Sequence, residues 1–311
     1  MLINYCRRGI NVIRNLLKKI LPVSIANYIH RCILIQNMKA KIRSGEPLKN
    51  KHSKIAFEIH VTEHCNLNCK GCDNFSPLAE PEFIDIEEFE RDFSRLADIF
   101  SHECERIYLI GGEPLLHPEI ITLMRIAREK FIKGKIFVFT NGILLSQKDS
   151  EFWKACKDNN VDIIISAYPI KIDIDAIRAK AHEFGVNVEW AWGQNENERS
   201  TFSIQPLNLK GNSNIKLNFS LCDRANECIT LSHGRLFTCT FAPNVHHFNK
   251  YFHQNINITE ADYVNIYDDV SADEILRKMA EPIPACRYCD LVTPLKTVPW
   301  GVSKREISEW A

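Results

Sequence analysis

Apolar and polar positions change period several times along this chain, and the changes mark out its elements. Ile10, Ile13, Leu16, Leu17 and Ile20 recur every three or four residues, with Arg7, Arg14, Lys18 and Lys19 mostly on the other side. That spacing predicts a basic amphipathic helix, stopped near Leu21-Pro22. A second apolar run over 25–35 is interrupted by His30 and Arg31, and is too short and too charged to span a bilayer. Residues 55–62 then alternate strictly, with Ile55, Phe57, Ile59 and Val61 on one face and Ala56, Glu58, His60 and Thr62 on the other. A half-buried strand gives this period of two.

From there the period switches repeatedly. Helical spacing over 84–100, 118–131, 150–157 and 175–184 alternates with apolar strands over 106–110, 135–140, 162–167 and 186–192. Repeated βα units of this kind predict an α/β fold, a partial (β/α)6 barrel of parallel strands covered by helices, with functional loops at the strands' C-terminal ends. In such a barrel the apolar face of the first strand meets the helices, and Glu58, His60 and Thr62 point into the lumen. His60 reads equally as a catalytic residue and as a core histidine. The polar stretch 194–200 breaks the rhythm, and cysteines return after it. Three regions are expected: a helical arm over 1–50, a barrel over 53–200, and a small hairpin-and-helix domain over 201–311.

Charge changes the picture at one end. Residues 1–50 hold ten basic side chains against Glu46 alone, a charge of +9, so a net charge of zero leaves −9 on the remainder. The arm therefore suits an anionic membrane surface or an acidic protein partner, or a helix packed on the next domain with its lysines in water. The acidic body lacks the basic and aromatic patch of a nucleic-acid binder. Twelve cysteines in 311 residues, behind an N-terminus without a secretory pattern, point to metal ligands in a reducing cytoplasm, with a peripheral membrane position if the arm binds lipid.

The chemistry concentrates where the first strand ends. Cys65, Cys69 and Cys72 are spaced so that one tight loop can place three sulfurs around one inorganic centre with no fourth ligand nearby. An iron–sulfur cluster held this way keeps one iron open, whereas structural zinc wants a closed set of four. Gly111-Gly112-Glu113-Pro114 follows the second strand, where the glycines let a ligand approach the backbone and the carboxylate suits an amine.

Together these two motifs resemble the radical S-adenosylmethionine (SAM) superfamily, over about residues 53–200. The resemblance implies a 4Fe-4S cluster on Cys65, Cys69 and Cys72 whose open iron binds SAM. It also implies an external one-electron donor of flavodoxin or ferredoxin type, and SAM contacts from Gly111, Gly112, Glu113 and Pro114, with Asn141 and Ser166 at the ends of the next two strands. Two departures stand out. The residue before the last cysteine, often aromatic in that family, is Gly71, and no glycine-rich adenine motif is recognisable over 186–193.

A second set of thiols follows. Cys222 and Cys239 flank a turn centred on Gly234, and Cys286 and Cys289 form a Cys-x-x-Cys pair, four ligands for a closed site of iron–sulfur or zinc type. The set resembles the twitch form of the SPASM extension, which implies an auxiliary 4Fe-4S cluster. Cys228 reads as an alternative ligand, a buried thiol or a hydrogen-atom donor, and the last role would imply epimerisation. Cys6, Cys32, Cys104 and Cys156 read as packing. The resemblance implies oxidation or epimerisation of a sugar, cyclitol or glycan; radical modification of a ribosomal peptide and a non-catalytic electron carrier are the alternatives.

Overall fold

Every strand that the alternation predicts forms in the computed structural model, which describes residues 21–49, 55–191, 195, 201–204, 206–293 and 296–311. The predicted helix over residues 10–20 lies outside the described residues. The chain begins with α1 (Val23–Ser44) and enters the alternating body as β1 (Ala56–Thr62), α2 (Ile86–Ile99), β2 (Arg106–Gly111), α3 (Ile120–Lys130), β3 (Lys135–Thr140), α4 (Ser150–Asp158), β4 (Val161–Ile165), α5 (Ile174–Phe184) and β5 (Val188–Trp190). Three of these helices start on an aspartate that accepts the backbone N–H three residues on: Asp85 from Glu88, Asp149 from Phe152 and Asp173 from Ala176. Each such cap stabilises its helix by about 1 kcal/mol.

The five strands are parallel neighbours, in the order β5-β4-β3-β2-β1. Phe57, Ile59 and Val61 are fully buried, in one apolar core with Phe89, Phe93 and Leu96 of α2. Phe57 lies between the rings of Phe100 and Phe131, and Phe89 stacks on Phe93 at 4.2 Å. The opposite face of β1 carries Glu58, His60 and Thr62 inward, as the alternation requires.

The rest of the chain supplies β6 (Thr201–Ile204), α6 (Ile215–Leu221), β7 (Ile229–Ser232), β8 (Arg235–Phe237), α7 (Phe241–Phe252), β9 (Val264–Asn265), α8 (Ala272–Met279) and β10 (Lys296–Pro299). Here the observed architecture differs from the expected division at residue 200. The hairpin β7–β8 forms, turning at His233 and Gly234 with φ of 48° and 68°, a two-residue turn of the twist that hairpins favour. It does not build a separate sheet. β7 pairs parallel with β1, so β7, β8 and β9 extend the main sheet to eight strands. The sixth parallel strand thus covers the edge of β1 rather than following β5. An uncovered β1 would expose a row of unpaired backbone groups, and β7 removes that edge. β6 and β10 form a separate antiparallel pair.

The expected arm over 1–50 is also revised. α1 continues through His30 and Arg31 and ends at Gly45, left-handed with φ 72°. Its Leu34, Ile35, Met38 and Ile42 pack against a cluster containing Leu217, Phe219 and Leu221 of α6. Arg31 donates to the carbonyls of Val292 and Thr293, both at 3.3 Å, and Lys49 Nζ donates to Cys222 O at 2.6 Å. This half of the arm is a wall of the C-terminal part, because its apolar stripe finds the apolar face of α6 and not the bottom of the sheet. Cys32 is exposed on α1 rather than packed, whereas Cys156 is fully buried. Among the described residues no helix is long and apolar enough to cross a membrane.

Replacing Phe93, fully buried against the rings of Phe89 and Phe131, by alanine is expected to lower the unfolding free energy by about 3–5 kcal/mol in urea titrations.

Candidate active site

β1 delivers the chain into the loop of Cys65, Cys69 and Cys72, which turns sharply through left-handed Asn68 (φ 50°) and Gly71 (φ 62°). The three thiols lie within electrostatic reach of one another. Burial pushes Cys65 up to about 11 and Cys69 up to about 12, the neighbouring thiols adding to both; burial also raises Cys72. Without a cation the loop therefore holds neutral thiols, and a bound metal centre is what would make them thiolates. Donors already aim at the sulfurs. Leu67 N lies 3.4 Å from Cys65 Sγ, Asn141 Nδ2 lies 3.7 Å from the same atom, and Trp300 Nε1 lies 3.2 Å from Cys69 Sγ. Such donors are the surroundings of thiolate ligands. Among the described residues no three His, Cys, Asp or Glu side chains close tightly enough to hold a single metal ion.

The Gly-Gly-Glu-Pro turn sits directly beside this loop, but its glycines serve a purpose that the sequence does not reveal. A Cβ on Gly111 would lie 2.1 Å from Thr62 O, and one on Gly112 would lie 2.0 Å from His64 O. The backbones of the two strand ends touch: Gly112 N donates to Thr62 O at 2.8 Å and Glu113 N to His64 O at 3.1 Å. Asn74 Nδ2 donates to Gly111 O at 2.9 Å and ties the far side of the cysteine loop to the same turn. The glycines therefore admit another strand's backbone as well as any ligand.

Glu113 is wholly buried and accepts three hydrogen bonds. Oε1 accepts from Leu115 N at 3.0 Å and from Thr140 Oγ1 at 2.6 Å, and Oε2 accepts from Asn141 N at 2.8 Å. Burial raises its pKa against the pull of these donors. Its carboxylate fixes the end of β3 through these three donors. Pro114, also buried, opens the short helical turn after it. Asn141, so held, donates to Asn66 Oδ1 at 2.8 Å as well as pointing at Cys65. Ser166, just past β4, is buried, and its N–H donates to Thr140 O at 2.9 Å. Gly111, Gly112, Glu113, Asn141 and Ser166 thus converge at one end of the sheet.

His60 is buried in the same half of β1, and neither ring nitrogen has a hydrogen-bond partner among the described residues. Burial lowers its pKa, and the Glu63 carboxylate lies 3.9 Å from Nδ1. Glu63 in turn accepts from His247 Nε2 at 2.8 Å. Burial alone would raise Glu63, but this bond and the neighbouring histidines outweigh it and hold the carboxyl at about 2. Glu63 and His247, neither singled out by any motif, link β1 to α7.

Cys222, Cys239, Cys286 and Cys289 line one cavity, together with Asp73 and Arg224. Burial pushes Cys239 up to about 11 and raises Cys286. Asn218 organises the pair on the later loop: its Nδ2 donates to Cys286 O at 2.9 Å and Cys289 O at 2.5 Å, and its Oδ1 accepts from Leu291 N at 3.1 Å. An asparagine one helical turn before Cys222 was the only signal for it in the sequence. Arg224 pairs with Asp73, the residue after Cys72, so one ion pair joins the two thiol sets.

Cys228 is elsewhere. β7 pairs with β1 so that Ile229 faces Phe57 and Thr230 faces Glu58, which sets Cys228 level with the start of β1. Six residues of strand, about 20 Å, separate that level from Thr62 and the cysteine loop. Cys228 hydrogen-bonds the Glu58 carboxyl instead. A hydrogen-donor role at the radical site is thereby corrected to a packing role at the opposite end of β1.

Asn218→Ala, which removes the donor shared by Cys286 O and Cys289 O and the acceptor of Leu291 N, is expected to lower apoprotein stability by about 1–3 kcal/mol in denaturant titrations.

Comparison with known proteins bears on the first loop. Residues 59–185 match the model of the Radical SAM superfamily. The GTP 3',8-cyclase of Chlorobaculum tepidum is 34% identical over 90 residues, 29% of this chain and 26% of that enzyme. The GTP 3',8-cyclase of Desulforamulus reducens is 31% identical over 102 residues, 32% and 30% of the two chains. The chain thus spans less than a third of the length of these curated relatives. Among solved structures, anSMEcpe with bound AdoMet aligns over 76% of this chain and 82% of its own at 14% identity with a TM-score of 0.44. BtrN in complex with AdoMet and 2-DOIA aligns over 66% and 85% at 13% identity with a TM-score of 0.41. Over residues 59–185, then, the chain carries a radical SAM domain, and the cofactors of that family are a 4Fe-4S cluster and SAM.

Proposed function

We propose that this chain is a radical SAM oxidoreductase with two clusters, acting on a small hydroxylated ring of sugar, cyclitol or glycan type. Cys65, Cys69 and Cys72 hold the cluster that binds SAM, and Cys222, Cys239, Cys286 and Cys289 hold a closed auxiliary 4Fe-4S cluster. The cluster that Cys65, Cys69 and Cys72 would hold would supply the one-electron chemistry that cleaves the SAM sulfonium and opens the way to removal of a substrate hydrogen atom. An external donor of flavodoxin or ferredoxin type supplies that electron, and a reducing cytoplasm keeps the thiols available.

The observation that carries this reading is the cavity that gathers the four later thiols around Arg224, whose ion pair with Asp73 adjoins Cys72. A substrate between the two thiol sets would meet a fixed guanidinium at one side and the polar ends of β3 and β4 at the other. Because three donors already occupy the Glu113 carboxylate, recognition of the SAM amine falls to main-chain carbonyls of the Gly-Gly turn. Oxidation is favoured over epimerisation, since Cys228 stands at the far end of β1 and cannot return a hydrogen atom there. A second reading, a nucleoside triphosphate substrate, draws on the relatives named GTP 3',8-cyclase and on the same guanidinium.

The anaerobically reconstituted protein is expected to contain about eight irons per chain, falling to about four in the Cys65, Cys69, Cys72 triple alanine variant. Four falling to none, with zinc present, would reassign the later thiols. Given dithionite and SAM, wild type should release 5′-deoxyadenosine and the variant none; no release from wild type would leave an electron carrier. Mass spectrometry then separates the substrate readings: an aminocyclitol or sugar losing two hydrogens supports the first, consumption of GTP alone the second.

A further inference from the structure

The last stretch of the chain carries no motif, yet it lies across the first cysteine loop. After β10 pairs with β6, the chain passes over the loop as a strap. Lys70 N donates to Gly301 O at 2.8 Å, Ser303 N donates to Asn68 O at 2.8 Å, and Cys69 faces Val302 in an antiparallel bridge. Trp310 Nε1 donates to Cys72 O at 2.8 Å. The strap also explains Gly71. That residue is left-handed, and a Cβ on it would lie 2.8 Å from the Ile204 side chain and 2.9 Å from Glu309 O, so the space that a larger side chain would fill is taken by β6 and by the strap together. The buried Glu309 carboxylate fixes the strap's own turn by accepting from Ser303 Oγ and from Lys304 N.

Within this strap Trp300 is placed for one contact. Its Nε1 donates to Cys69 Sγ at 3.2 Å, and its ring lies 6.4 Å from that of Tyr168, whose hydroxyl bonds the same sulfur from the barrel side. An indole nitrogen can only donate, and the half-buried position against Cys69 excludes water from that side of the sulfur.

Resting on the reading of Cys69 as a cluster ligand, we propose that Trp300 is a positioning residue that sets the reduction potential of the first cluster through its N–H bond to the Cys69 sulfur. A donor to a ligating thiolate withdraws electron density from the sulfur and stabilises the more negative, reduced cluster. The C-terminal strap is then part of the electron-accepting centre, although it lies more than 200 residues from the cysteine motif in the sequence.

The test uses the full-length reconstituted protein and follows the reduced-cluster EPR signal that the Cys65, Cys69, Cys72 triple alanine variant lacks. Trp300→Phe keeps the ring against Tyr168 and removes the N–H. Its ratio of reduced to oxidised cluster at a fixed potential should fall by about threefold to tenfold, the worth of one such bond, at unchanged iron and sulfide content. Trp300→His, which retains a ring N–H, should recover part of that ratio. Equal ratios in wild type and Trp300→Phe would overturn the inference and leave the radical SAM reading intact; wild type without iron and sulfide would overturn both. A measurement on apoprotein covers the case in which Trp300→Phe takes up no cluster. Alkylation of Cys69 by iodoacetamide, relative to Cys65 and read by peptide mass spectrometry, should be slower in the variant, because an N–H bond to the sulfur favours the thiolate that reacts, and equal rates would overturn the contact.

Discussion

The structure depends on the backbone contact between the ends of β1 and β2. Gly111 and Gly112 bring one strand's main chain against the carbonyls of Thr62 and His64, at distances that leave no room for a Cβ. Once that contact is made, the Cys65 to Cys72 loop and the Gly-Gly-Glu-Pro turn cannot move independently. Asn74 reaches from one to the other, and Glu113 passes the constraint on to Thr140 and Asn141. Because a buried carboxylate with three donors is costly to disturb, the ends of three neighbouring strands behave as one rigid frame.

Two further layers close around that frame. On one side the strap after β10 lies over the cysteine loop and takes the space beside Gly71. On the other, Asp73 and Arg224 connect Cys72 to the cavity of the four later thiols, whose outer wall is α6 backed by α1. Segments from near both ends of the described chain thus meet the two thiol sets. The segment that follows α1 belongs to this closure, since Lys49 caps the carbonyl of Cys222 itself. The basic residues that look like an arm in the sequence therefore split into a described half with a packing role and a preceding stretch outside the described residues.

The sequence by itself determined the elements and the motif that carries the chemistry. Alternation over β1 placed Phe57, Ile59 and Val61 against helices and Glu58 and His60 inward, because a period of two leaves a strand no other choice. Cysteine spacing and the Gly-Gly turn one βα unit later identified the loop, since local spacing decides which sulfurs one loop can bring together. Tertiary structure alone decided the rest. That β7 would seal the edge of β1, that Cys228 would thereby stand at the wrong end of the strand, that Trp300 and Asn218 would attend the cysteines and that His247 would hold Glu63 all depend on contacts between residues far apart in the chain. Periodicity reports which face of an element is apolar; it carries no information about which distant element will cover that face.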